Sequence, residues 1–564
     1  MRSIRGPFVV ATPTGARVRA RLRLSAWDKL VVRAVAEHLG RLAGRDLAWR
    51  CRLGHTQSSR LGSELRADRK RALTSASSSR WAGAITRTSN DQVERAYKNL
   101  LDSRVGLRRA VKRIRSRLAV PVVKRSGRVR GYATRVERFE KQRRLQHLQA
   151  RLGKVEQRIT AGRVSVCRGG RRLAKLRHHL DDSGATTPTE AERAACVIQW
   201  RARWQAARLF LTADGEADKA WGNETIRVHP DEGWLELRLP TPLAHLTNTP
   251  GRAPTYRLSC RVQFTHRAAE WAAQATSGAV RYDIHVDPNR SRWYLDASWR
   301  LPARVPPALS ALRQHPTLGL DLNADHVAGW ILDACGNPVD TPHTIPLDLD
   351  GHSATTRDGR LRAAFADAIR TAKANGCHSI AVENLDFTDV RRVGRETLGR
   401  GRRGRRFRHT IAGIPTRKFR DLLVGMATNA GLWVLAVDPA YTSRWGAAYW
   451  QAPLGGSTRP SITVTRHHAA AVVIGRRGLG FAARRRPGVT RLHQRMGKGE
   501  LPARPSVGRW AVREPGPPEA SGQRHRPRKT RHAERRRLGD QVAQDRSGPP
   551  EQSADLRLLT SQER

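Results

Sequence analysis

Over residues 16–25, Ala-Arg-Val-Arg-Ala-Arg-Leu-Arg-Leu-Ser, apolar and basic positions alternate, and that period of two predicts a strand with one wet, cationic face. From Trp27 to about Leu42 the apolar positions Leu30, Val31, Ala34, Val35 and Leu39 keep helical spacing instead, with Gly40 as the terminator. A strand followed at once by a helix suggests that the first strand joins a sheet completed much later. From about Asn90 the helical period returns. Val93, Tyr97, Leu100, Leu107, Val111, Ile114 and Leu118 keep one heptad, broken at Arg104, and Leu145, Leu148, Leu152, Val155 and Ile159 keep another. The remaining faces are mostly Arg and Lys, so a two-helix hairpin is expected whose outer surface either tracks phosphates or is simply solvated. A third helix, Glu190 to about Leu211, carries Trp200, Trp204, Leu209 and Phe210 as core residues.

Near Trp221 the period changes again. Residues 224–228, 234–239, 255–264, 280–286 and 293–299 are short strands separated by Pro-, Gly- and Asp-rich turns, a spacing that predicts a small β-barrel which the first strand helps to close. Pro302, Pro306 and Pro307 then mark a linker. Beyond it the order is strand, strand, a third strand near Thr344 to Leu347, helix, strand, helix, strand, helix. Leu361, Phe365, Ala368, Ile369 and Ala372 line one helical face, a second helix starts at Pro415, and a last one starts near His467 and His468. This is a mixed α/β layer fold. After about Arg486 no apolar period is sustained, and the chain reads as a disordered basic tail. The expected division is residues 1–45 as a strand and helix joining the barrel lobe, 46–215 as a helical lobe, 216–305 as the barrel, 316–485 as the α/β domain and 486–564 as the tail.

Composition narrows the class of partner. The chain has 564 residues, too many for one core, and its 105 Lys and Arg against 49 Asp and Glu give a formal charge of +56. A polyanion is the expected partner, and a groove for nucleic acid is the default physical reading. The six cysteines are scattered without a Cys-x-x-Cys pair, which excludes a zinc ribbon by spacing, offers no disulfide framework and fits a reducing compartment. The N-terminal apolar run Pro7 to Ala11 is too short for a signal sequence, and no segment approaches a membrane span. A cytoplasmic, nucleoid-associated bacterial protein is the expectation.

Two acids stand out against this pattern. Leu318-Gly319-Leu320-Asp321-Leu322-Asn323 places a carboxylate inside an apolar strand, where it costs several kcal/mol unless paired or bound to a metal. Glu383 ends a second β-branched run, Ser379 to Val382. Phosphodiester hydrolysis is commonly run by two hard divalent cations about 3.5–4 Å apart, held by oxygen ligands on strand ends and a helix start. Either acid alone also reads as a salt-bridged strand-end residue.

Gly-Leu-Asp-Leu-Asn at 319–323, Ile-Ala-Val-Glu-Asn-Leu at 380–385, the arginine-rich loop through Arg408, the helix from Ile414, and Val437-Asp438-Pro439-Ala440-Tyr441-Thr442-Ser443 together resemble the RuvC-like half of the TnpB family. These are transposon-encoded proteins, commonly labelled transposases, that act as RNA-guided DNA endonucleases. The resemblance is specific over about residues 317–480; earlier it rests on domain order and on the long basic helices. It implies an RNase H/RuvC-like α/β domain with Asp321 and Glu383 as the first two metal-binding acids. It also implies a Mg²⁺ or Mn²⁺ site of two ions, with guide RNA and target DNA as partners. The family's third acid opens the last helix. Here the matching stretch reads Arg466-His467-His468-Ala469-Ala470, with His467 in the acid's position and His468 one slip away, so catalytic and metal-binding candidates are Asp321, Glu383, His467 and His468. The family's two Cys-x-x-Cys knuckles are missing after Tyr441-Thr442-Ser443, so no zinc is expected, and Trp445, Tyr449 and Trp450 offer an aromatic cluster in their place.

Between strand and helix, Arg391, Arg392, Arg395, Arg400, Arg402, Arg403, Arg405, Arg406 and Arg408 alternate with Gly394, Gly399, Gly401 and Gly404 against one acid, Glu396. Glycines let a backbone lie against phosphates and arginines neutralise them, so this loop is expected to hold a nucleic-acid backbone without reading bases. The resulting expectation is an RNA-guided, metal-dependent DNA endonuclease. Its rivals are a guided binder whose nuclease centre decayed when the third acid became His, and a basic packaging protein.

Overall fold

The computed structural model describes residues 4–55, 59–127, 129–181, 190–323, 325–349, 351–384, 416–457 and 463–484. The nine arginines from Arg391 to Arg408, Pro415 and the tail expected from residue 486 lie outside the described residues. No helix among those described is long and apolar enough to cross a membrane.

The chain starts by crossing to its far end. Strand β1 (Phe8–Val9) pairs antiparallel with a strand near residue 435, the partner of Phe8 being Ala436, so the short apolar run at the N-terminus serves as a sheet edge. Strand β2 (Gly15–Leu22) then alternates as its pattern demands: Ala16, Val18, Ala20 and Leu22 are buried and the arginines between them exposed. Helix α1 (Ala26–Arg52) begins with a capping box between Ser25 and Asp28. It runs twelve residues past Gly40, the expected terminator. Gly40 answers to packing: a Cβ there would lie 2.4 Å from the carbonyl oxygen of Arg208, so only glycine admits the neighbouring chain.

Helices α2 (Ser59–Thr74) and α3 (Ser79–Leu118) follow. The two-residue strands β3 (Arg125–Ser126) and β4 (Val129–Arg130) turn the chain into α4 (Arg135–Thr160). Leu107, Val111 and Ile114 of α3 meet Leu148 of α4 in a narrow apolar seam, which the heptads predict. Helices α5 (Arg171–Asp181) and α6 (Glu190–Arg208) complete this region.

The strand-rich region holds β5 (Thr212–Ala213), β6 (Ile226–Val228), β7 (Trp234–Arg238), β8 (Thr255–Arg261), α7 (Ala268–Ser277), β9 (Arg281–Asp287) and β10 (Arg292–Arg300). Pairing among the described residues makes two sheets, β2-β10-β9-β5 and β6-β7-β8, in place of the expected closed ring. The N-terminal strand does enter here, running antiparallel to β10 from Leu22 opposite Trp293 to Gly15 opposite Arg300. Buried Asn223 links the two sheets: its amide donates to the carbonyls of Ala213, Asp214 and Val280, and its oxygen accepts from the backbone of Thr225 and Ile226. One apolar core runs through both sheets and α1.

After the short helix α8 (Leu309–Leu312), the last region builds a six-stranded sheet. Its elements are β11 (Thr317–Leu322), β12 (His326–Leu332), β13 (Pro338–Pro346), α9 (Ala354–Ala374), β14 (Ser379–Glu383), α10 (Thr416–Asn429), β15 (Trp433–Val437), α11 (Thr442–Gly446), α12 (Ala452–Ser457) and α13 (Arg466–Gly478). The order is β1-β15-β14-β11-β12-β13, with β11, β14 and β15 mutually parallel. Strand β13 is longer than the expected piece near Thr344, because an edge strand tolerates the prolines that mask it in the sequence. Leu318, Leu320, Ile380 and Val382 face α9 and α10, whose Phe365 and Phe419 cross edge to face. On the other face lies α13, buried along its length from His468. Gly319 lets it approach: a Cβ at that position would fall 2.1 Å from the carbonyl oxygen of Ala471.

Candidate active site

Asp321 and Glu383 reach each other through strand register. Leu320 of β11 lies opposite Val382 of β14, so the next step of the parallel ladder sets Asp321 beside Glu383. Glu383 in turn lies opposite Val437 of β15, and Asp438 follows directly. Three carboxylates therefore stand at or next to the carboxyl ends of three adjacent parallel strands, where open α/β sheets commonly present a binding crevice.

The electrostatics reflect that crowding. The Glu383 carboxyl is pushed up to about 7, first by burial and next by the charge of Asp321, with Asp438 adding to it; the Thr442 hydroxyl and the Arg477 guanidinium pull the other way. Thr442, at the start of α11, donates its hydroxyl to Glu383 Oε1. Arg477, near the end of α13, donates to the carbonyls of Asp438 and Ala440 at 2.5 and 2.7 Å, and so braces the loop that carries both Asp438 and Thr442. Asp438 accepts from the backbone N–H of Ala440 at 3.0 Å and of Arg5 at 3.1 Å. The N-terminal segment thus closes one side of the site.

The two histidines at the head of α13 go different ways. Arg466 Nε–H donates to His467 Nε2 at 3.2 Å, which leaves the ring proton on Nδ1, and Nδ1–H donates to Asp321 Oδ2 at 2.9 Å. Asn323 approaches the same carboxylate oxygen at 3.3 Å. His468 instead is 3 % exposed and completes the capping box of α13: its Nδ1 accepts from the Thr465 backbone at 3.1 Å, and its Nε2 lies 2.8 Å from Thr344 Oγ1. Burial pushes its pKa down to about 4, and the nearby His326 adds to the shift. Both ring nitrogens of His468 are committed away from Asp321. The structure brings together Asp321, Glu383 and His467 and leaves His468 as a cap.

The donor set suits a hard cation in its chemistry. It offers the carboxylates of Asp321 and Glu383; directly after Glu383 in the chain, Asn384 Oδ1 is buried without a hydrogen-bond partner among the described residues. Among those residues, however, no three His, Cys, Asp or Glu side chains stand close enough to enclose a metal ion as they are placed. Asp438, Thr442, Asn384 and Arg477 were not singled out as site residues from the sequence. Asp438 has a legible signal, an acid directly after an apolar strand, and Thr442 lies in the same motif, Val437 to Ser443; Arg477 has none. Where the sequence suggested an aromatic cluster after Ser443, Trp450 is fully buried with Trp330, donates its indole N–H to Ala483 at 2.7 Å, and is flanked by Trp445 and Tyr449.

No protein-family model and no curated protein matches the chain. Among solved structures it is similar to the Thermus thermophilus RuvC protein in complex with a Holliday junction substrate, at 16 % identity and a TM-score of 0.20, over 29 % of this chain and 91 % of that one. It is also similar to a Cas12f1 protein in a complex with sgRNA and target DNA, at 10 % identity and a TM-score of 0.29, over 82 % of this chain and 98 % of that one. Likeness at these scores leaves function to be argued from the residues themselves.

Proposed function

We propose that this chain is an RNA-guided, metal-dependent DNA endonuclease of TnpB type, with Asp321 and Glu383 as ligands to Mg²⁺ or Mn²⁺ and His467 as the residue that orients Asp321. The observation that carries the reading is the strand register that brings Asp321 and Glu383 to adjacent strand ends, where burial, and then the charge of Asp321, push Glu383 up to about 7. A buried carboxyl group raised in this way next to a second carboxylate is a candidate ligand for a cation. Bound cations at such a site supply charge neutralisation at the phosphate and an acidified water. The chain's own residues do the rest. Glu383 releases its proton to serve as a ligand, the Thr442 hydroxyl holds that carboxylate's rotamer, and His467 and Asn323 hold Asp321. Arg477 keeps the Asp438 loop in place. The net charge of +56 supplies the affinity for nucleic acid.

A second reading, a guided DNA binder without cleavage, is favoured by one feature. An imidazole N–H occupies the Asp321 oxygen where the family has a third acid. Strand cleavage by the purified protein–RNA complex on a matched target, in Mg²⁺ and in Mn²⁺, decides between the two. Cutting that is lost in Asp321→Ala and Glu383→Ala supports the nuclease; tight target binding with no cutting in either metal supports the binder.

A further inference from the structure

Tyr441 joins the Asp438 loop to α11, directly before Thr442, whose hydroxyl donates to Glu383. Its backbone is left-handed at φ +64° and ψ +13°, a region that glycine or asparagine fills at little cost and a bulky aromatic residue enters under strain. It stands as the N-cap of α11, yet its side chain makes no capping hydrogen bond. Neither the conformation nor the cap therefore calls for tyrosine. The ring is 37 % exposed, and its hydroxyl has no hydrogen-bond partner among the described residues. What supports the ring is aromatic. It stacks on Trp445 with centroids 5.8 Å apart and planes 25° from parallel, and the Arg477 guanidinium lies 5.0 Å from the Trp445 ring centroid. The Trp445 backbone N–H donates to the Tyr441 carbonyl at 2.9 Å, and Arg477 braces the same loop through the carbonyls of Asp438 and Ala440. The strained turn and the ring it carries are thus fixed from both α11 and α13.

A rigid, exposed ring backed by a second ring and a cation is a stacking platform, because every nucleobase offers a flat π-face. Arg444, exposed one helical turn further on, has no hydrogen-bond or ion-pair partner for its side chain among the described residues. A base on the ring and a phosphate on the guanidinium are two parts of one nucleotide. Since Tyr441 leads directly into the residue that holds Glu383, that nucleotide flanks the phosphate lying at the acids. We propose that Tyr441, backed by Trp445, stacks an unpaired base of the DNA next to the scissile phosphate, and so sets that phosphate against Asp321 and Glu383. Stacking there takes the base out of its own stack, and the protein ring replaces the contact it leaves. The inference rests on the proposed function for DNA as the substrate.

The test uses the purified protein–RNA complex on a matched target. With metals chelated, iodouracil is placed one position at a time along each strand, near-ultraviolet light links it to a stacked ring, and mass spectrometry identifies the linked peptide. Wild type and Tyr441→Phe should link at one position through the peptide that holds residue 441, and Tyr441→Gly should not. In Mg²⁺ or Mn²⁺, Tyr441→Gly should cut about 5- to 150-fold more slowly at saturating target, the span of one lost base–aromatic stack, with target affinity unchanged and Tyr441→Phe close to wild type. Glycine relieves the left-handed backbone, so melting temperatures should match. An abasic nucleotide at the linked position should slow the wild type by a similar factor and leave Tyr441→Gly no slower than before, a comparison made within each variant and so independent of its stability. Equal slowing of both proteins by that nucleotide, or tight target binding with no link through residue 441, overturns the stack. Linking without cutting in either metal keeps the stack and overturns the nuclease. Cutting that neither an abasic position nor loss of the ring alters keeps the nuclease and overturns the stack.

Discussion

At the scale of single residues, Glu383 is the group whose chemistry is most displaced from its ordinary state. Its folded pKa of about 7 lies above the unfolded value of 4.5, so between those pH values the fold keeps a proton that the unfolded chain has released. Stability from this group is therefore highest below pH 4.5 and falls as pH rises through 7, by on the order of 3 kcal/mol. Glu383→Gln should remove that slope, so urea midpoints at pH 5 and pH 8 should differ less in the variant than in the wild type. Divalent cation at pH 8 should recover stability in the wild type only. His467 gives a second test. If its N–H orients Asp321 as the structure has it, His467→Ala should lower cleavage by about 10- to 100-fold, the usual effect of losing a ligand's supporting partner. His467→Asp, by adding a hard anionic ligand, should shift the preferred ion from Mn²⁺ toward Mg²⁺ in rate measurements with each metal. An unchanged metal preference would mean that position 467 does not border the ions.

At the scale of elements, the site depends on how closely α13 lies on β11. Gly319 permits that approach, and Gly319→Ala forces a methyl group against the Ala471 carbonyl. Overpacking of this kind costs about 1–3 kcal/mol, and the helix that shifts to relieve it carries His467. The variant should melt lower and lose cleavage more steeply than it loses stability, with target binding less affected. Equal melting temperatures would show that the helix has room to spare. The same logic corrects the reading of Gly40. A glycine inside a helical pattern looks like a stop signal, but here it marks the crossing of α1 by the chain at Arg208. Glycine reports that a backbone must come close, and the sequence does not say which one.

At the scale of the whole molecule, the excess of positive charge is spread over the chain, so its effect on nucleic acid should be collective. Replacing the nine arginines from Arg391 to Arg408 with Ser should weaken binding to all sequences alike and flatten the slope of affinity against salt, because such contacts release counterions without reading bases. An unchanged slope would place the loop in solvent. Much of the architecture is legible in the sequence. The β2 alternation, the α3–α4 heptads and the strand–helix order after Pro307 are local periodicities, and burial of one face follows from them directly. Asp321 and Glu383 were legible for the same reason: a carboxylate in an apolar strand contradicts its surroundings in the sequence itself. What only the tertiary structure decided is which groups meet. The ladder step that sets Asp321 beside Glu383, the turning of His467 toward Asp321 and of His468 toward Thr344, and the Arg5 backbone against Asp438 all join residues far apart in the chain. Register and helix approach are set by packing, and packing leaves no periodic trace at the positions it brings together.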